Sequence, residues 1–151
     1  MKRVLIAVDG TEESNDAARF AHVLLGSDVE YLVLTVADAG AFLSGAMPIA
    51  DPMLAGGGGY VDPDTAREAM DTAFNQAEHD AVEVVLEVAE HAEAIVETGP
   101  PADTICRVAE TRKVDLIVIG SHERGWFSKL ITPSVRNHVL DHAPCPVLVV
   151  R

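Results

Sequence analysis

The chain has 151 residues, of which 48% are apolar, with 24 acidic against 11 basic side chains and a formal net charge of −13. That length and apolar content suit one domain, 1–151, with a core that needs neither disulfides nor metal, and they exclude a disordered chain. A field of this sign repels DNA, RNA and anionic lipid, so neither nucleic acid nor a membrane is an expected partner. Only three of the bases are lysine (Lys2, Lys113, Lys129). A large acidic excess with little lysine keeps a protein soluble where salt screens charge to a few ångströms, and points to the cytoplasm of a halophile.

In chain order, the apolar run Val4–Val8 follows directly on Met-Lys-Arg and is ended by Asp9. It reads as a first strand and is too short for a signal peptide. Ala17, Ala18, Ala21, Leu24 and Leu25 form the apolar face of a first helix, which Gly26 stops. Tyr31–Val36 is a second strand. The segment 39–60 is uncharged apart from Asp51 and ends in Gly56, Gly57, Gly58 and Gly59. No Gly-Lys-Ser/Thr follows, so it is no Walker loop, and a flexible linker or lid is expected. Asp62-Pro63 is an N-cap followed by proline at N1, opening a long acidic helix to about Glu90 along Ala66, Ala69, Met70, Ala73, Ala77 and Ala81. Its acids read as a solvated face.

Ala94–Val96 is a third strand. Gly99-Pro100-Pro101 starts a third helix along Ile105, Val108 and Ala109. Leu116–Ile119 is a fourth strand, Val135, Val139 and Leu140 mark a short fourth helix, and Val147–Val150 is a fifth strand. Strands with little polar alternation are buried on both faces, and their alternation with helices implies a doubly wound α/β fold around a parallel sheet. No stretch is long and apolar enough to span a membrane. Cys106 and Cys145 lack metal-ligand spacing and read as buried thiols in a soluble cytoplasmic protein.

Ligands in open parallel sheets sit at the carboxyl ends of the strands. Those ends are Asp9-Gly10-Thr11, Val36-Ala37-Asp38 and Gly120-Ser121-His122-Glu123-Arg124-Gly125. From Gly120 to His138 the charge balance inverts, with one acid, Glu123, against Arg124, Lys129 and Arg136, and with His122 and His138 beside them. An inversion between a strand end and a helix N-terminus suits an anion. Asp9 has an alternative role, accepting N–H bonds from its own loop. Hydrolytic chemistry lacks a nucleophile elbow around Ser121, and Asp9-Gly10-Thr11-Glu12 is not a dinucleotide fingerprint. Trp126-Phe127 reads as a loop pair packed on the domain, with a lid or partner contact as the alternative.

Val4-Leu5-Ile6-Ala7-Val8-Asp9-Gly10-Thr11-Glu12-Glu13-Ser14, Asp115–His122 and Ala143–Val150 together resemble the universal stress protein family over the whole chain. The resemblance implies a five-stranded sheet in the order 3-2-1-4-5. It also implies a homodimer paired through Val147, Leu148, Val149 and Val150, whose bare apolar edge needs covering. It implies a site for ATP or another adenine nucleotide, with Mg²⁺ accompanying it. Ala7, Val8 and Asp9 would line the nucleoside, Val36 the adenine face, Gly120 and His122 the ribose and phosphates, and Ser134 and Val135 the phosphate end.

The family's nucleotide-binding members carry Gly-x2-Gly-x9-Gly-Ser/Thr after strand four. Here the positions are Gly120, Glu123, Pro133 and Ser134. A carboxylate and a residue without N–H stand where glycines bind phosphate, a loss on the order of a hundredfold in affinity. Arg124 and Lys129 would supply charge in exchange, and Gly125 gives the loop another route. The expected function is a regulatory module with an adenine-nucleotide site of altered phosphate loop. The alternatives are a nucleotide-free dimeric interaction protein serving an unknown partner and, behind it, a slow ATPase for which His122 and Ser134 are the only candidates.

Overall fold

The computed structural model describes residues 2–37, 62–88, 92–120 and 133–151. The elements run β1 (Lys2–Val8), α1 (Glu12–Leu25), β2 (Val29–Ala37), α2 (Pro63–Val88), β3 (Glu93–Thr98), α3 (Pro101–Thr111), β4 (Leu116–Gly120), α4 (Pro133–His142) and β5 (Val147–Val150). All pairings are parallel, and the strand order is β3-β2-β1-β4-β5. The order implied by the resemblance is the order found.

The apolar strands divide their side chains by period two between two cores. Leu5, Ala7, Leu32, Leu34, Val36, Ile117 and Ile119 pack under Ile105, Val108 and Ala109 of α3 and Val139 of α4 on what we term the front. Val4, Ile6, Val8, Tyr31, Val33 and Val118 pack on the back under Ala18 and Ala21 of α1 and Val84 of α2. Small residues on α1 let it lie close to β4, where Gly120 has no Cβ to hold it off. A methyl there would stand 3.3 Å from the carbonyl oxygen of Glu13 and 3.5 Å from Cα of Ser14.

Local signals set the helix ends. Asp62 accepts from the backbone N–H of Asp64 and Thr65, each at 3.0 Å, and from the Thr65 hydroxyl. Gly26 closes α1 at φ +75°, donating its N–H to the carbonyl of His22 at 2.9 Å. Pro101 opens α3 as expected. Three expected apolar positions instead face outward: Leu24 is 58% exposed, Leu140 47% and Met70 40%. On α1 the buried stripe is Ser14, Ala17, Ala18 and Ala21, and Leu24 falls on the Phe20 side of the helix, away from the sheet. The two thiols are half-buried rather than buried, both against the front core. Burial pushes both up from the usual thiol range, with Asp103 adding to the effect at Cys106 and Asp115 at Cys145, so neither is primed as a nucleophile. Among the described residues no helix is long and apolar enough to cross a membrane.

Candidate functional site

The chain lays β2 and β3 on one side of β1, then crosses to place β4 and β5 on the other. The crevice at the carboxyl ends of β1 and β4 is therefore the topological switch point, where open α/β sheets take their ligands. Ala7 pairs with Leu34 on one side and Ile119 on the other, so the rim next to it is built from three strand ends at once.

Asp9 leaves β1 at this rim and is 5% exposed. Its Oδ1 accepts from the Thr11 backbone N–H at 3.2 Å and from the Thr11 hydroxyl at 2.5 Å. The Asp9 backbone N–H donates to Oγ of Ser14 at 3.3 Å, and the Ser14 hydroxyl donates to the Thr11 carbonyl at 2.9 Å. Thr11 is also the N-cap of α1, its Oγ1 accepting from the Ser14 N–H. One compact loop thus buries a carboxylate, holds its Oδ1 through Thr11, and starts a helix at that same threonine. Gly10 sits at φ +75° with α2 against it, so a Cβ there would overlap the carboxylate of Asp80.

The residues expected to hold a nucleoside do not all share one face. Ala7 and Val36 lie on the front, and Val135 packs against that same core. Val8 points to the back, against the α1–α2 side, so it reaches the rim through its backbone alone. Gly120 is buried against α1. Ser134 is exposed in the first turn of α4, which begins at Pro133. His122, Arg124, Glu123 and Lys129 lie outside the described residues, as do Gly125, Trp126 and Phe127, Gly56 to Gly59, and the rest of the 39–60 segment.

Two features were not legible from spacing. Ser14 locks the Asp9 loop; its signal is a hydroxyl three residues after the Thr11 cap. His138, one turn below Ser134, meets Asp103 across the α3–α4 gap, with Nε2 2.9 Å from Oδ1. Thirty-five positions separate the two in the chain, and no local pattern announces the pair. Among the described residues no group of three or more His, Cys, Asp or Glu side chains gathers to hold a metal.

A sequence model of the universal stress protein family matches residues 1–151. The universal stress protein MJ0531 of Methanocaldococcus jannaschii is 29% identical over 99% of this chain and 82% of its own length. Universal stress protein UspA from Lactobacillus plantarum superposes with a TM-score of 0.69 at 21% identity, covering 99% of this chain and 97% of that one. A family protein of Arabidopsis thaliana with AMP bound superposes at 0.62 with 20% identity, covering 99% and 91%. Two further solved structures carry cAMP and, in the Archaeoglobus fulgidus protein, dAMP, at TM-scores of 0.58 and 0.55. At these identities the structural likeness is one of fold.

Proposed function

The chain belongs to the universal stress protein family, and from that premise we propose that it is a regulatory module holding an adenine nucleotide in the crevice between β1 and β4. The observation that carries this reading is the rim itself. A buried Asp9, fixed by Thr11, stands at the switch point beside the front-face residues Ala7 and Val36, and Val135 in the first turn of α4 packs against the same front core. Ala7 and Val36 offer apolar surface to a base, the Val8 backbone and Asp9 offer polar groups to a nucleoside, and Ser134 and Val135 stand where a helix end favours phosphate. Relatives of the same fold that hold AMP, cAMP and dAMP support an adenine nucleotide. His122, Gly120 and Arg124 complete the proposed contact set, and Mg²⁺ would accompany a polyphosphate. The module works as a homodimer through Val147, Leu148, Val149 and Val150 in the cytoplasm.

A second reading is favoured by Glu123 and Pro133: a nucleotide-free dimer that acts through a protein partner. The two separate in one experiment. The protein is purified without added nucleotide and precipitated, and the supernatant is resolved by chromatography and mass spectrometry. The same protein is then titrated with AMP and ATP. Stoichiometric adenine nucleotide, or saturable binding, is expected. An empty site that also stays empty at millimolar nucleotide would refute the proposal in favour of the interaction protein. Glu123→Gly with Pro133→Gly is expected to tighten ATP binding on the order of a hundredfold, by restoring the N–H and removing the carboxylate. Unchanged ATP affinity would mean that these two positions do not limit it.

A further inference from the structure

We infer that α4 carries a chelating site for a divalent transition-metal ion of intermediate softness, such as zinc or nickel, formed by His138 and His142 with Asp103 behind them. The two histidines are four residues apart and share one face of the helix. Their rings stack, with centroids 4.2 Å apart and planes inclined by 21°. Each ring has one nitrogen already committed to an oxygen that can only accept. Nε2 of His138 lies 2.9 Å from Asp103 Oδ1, and Nδ1 of His142 lies 2.9 Å from the carbonyl oxygen of His138. In the neutral rings those nitrogens carry the protons, which leaves the lone pairs on His138 Nδ1 and His142 Nε2. Donation of the far ring N–H to a carboxylate or a backbone carbonyl is the arrangement that orients metal-bound imidazole and raises its basicity.

A metal lies in the plane of each imidazole that binds it, so the stacked rings must turn about their Cβ–Cγ bonds to converge; Nε2 of His138 lies near that axis and keeps Asp103 within reach, whereas Nδ1 of His142 lies off it and gives up the His138 carbonyl. The His138 side chain is 41% exposed, which leaves room for that turn. Imidazole nitrogen selects zinc, nickel or copper over magnesium or calcium, which prefer oxygen. Among the described residues no third protein ligand gathers there. The strongly negative chain raises the local cation concentration. Because Asp103 belongs to α3, the bound ion would tie α3 to α4 one turn below Ser134.

The test is calorimetric titration of the full chain with zinc chloride at neutral pH in a non-chelating buffer, with far-ultraviolet circular dichroism to verify folding. One equivalent should bind saturably. His138→Ala and His142→Ala should each weaken binding about tenfold or more while the dichroism stays unchanged, and Asp103→Asn should weaken it by about tenfold through loss of the supporting carboxylate. No saturable binding would overturn the proposal. Binding that survives both histidine substitutions would overturn it too, by assigning the ion to other side chains. Binding indifferent to Asp103→Asn would remove Asp103 from the site.

Discussion

Asp9 shows how one residue serves both folding and the site. Sequence spacing left it two roles, nucleoside contact or acceptor for its own loop, and the structure fills the second: Oδ1 is held by Thr11 while the backbone N–H reaches Ser14. Truncation therefore carries a structural cost. Asp9→Ala leaves the Thr11 N–H and hydroxyl without their acceptor and should destabilise the fold by about 1–3 kcal/mol. Asp9→Asn keeps an oxygen in place and should fold normally, yet lose nucleotide affinity if the charge faces the ligand. Urea titration beside nucleotide titration separates the two effects. An Asp9→Ala protein as stable as the parent would mean that the loop does not depend on this carboxylate. Period two puts Ala7 and Val8 on opposite faces of the sheet, which the grouping of both as nucleoside-lining did not separate; which face bears the ligand depends on where α3 and α4 settle, and no local pattern encodes that.

Whole elements were legible where their signals are local. The strands announced themselves as apolar runs, and α1, α2 and α3 by Gly26, Asp62-Pro63 and Pro101, because caps and buried strands are short-range chemistry. Outward positions such as Leu24 were not legible, since an apolar side chain at a flanking position reads the same whether or not something covers it. The cap of α2 has a pH consequence. The Thr65 hydroxyl and N–H hold the Asp62 carboxyl below its ordinary range. A carboxylate whose folded pKa is depressed stabilises above its unfolded value and loses that contribution as pH falls through the folded one. The first turn of α2 should therefore fray as pH drops below about 4, read as faster amide exchange at Ala66, whose N–H bonds to the Asp62 carbonyl at 3.1 Å. Asp62→Ala should abolish that pH dependence; a variant that keeps it would place the titration elsewhere. Among the described residues β5 is an edge strand paired with β4, with Val147–Val150 half-buried. If this edge carries the proposed dimer, Val149→Lys places a charge within it and should give monomers in sedimentation velocity; an intact dimer would move the interface elsewhere.

For the whole molecule, the decisive quantity is the unbalanced charge. Among the described residues, Arg3, Arg107 and Arg112 pair with Glu30, Glu97 and Glu93, and Arg19 pairs with Asp16. With 24 acids against 11 bases, one-to-one pairing leaves 13 carboxylates without an arginine or lysine partner. Along α2 the exposed Asp64, Glu68, Asp71, Glu78 and Glu83 crowd one helix. Their repulsion extends about 10 Å at 0.1 M salt and about 3 Å at 1 M, so it acts between helices in dilute buffer and only between neighbours in brine. The thermal midpoint should therefore climb steeply as KCl rises from about 0.1 to 1 M. Salt also strengthens apolar burial, so a rise alone does not identify the cause. Replacing those five α2 acids by Gln or Asn separates the contributions: the substituted protein should be more stable than the parent at low salt and respond less to KCl. Equal salt slopes in the two proteins would assign the effect to apolar burial, and a parent fully stable in dilute buffer would remove the argument for a high-salt cytoplasm.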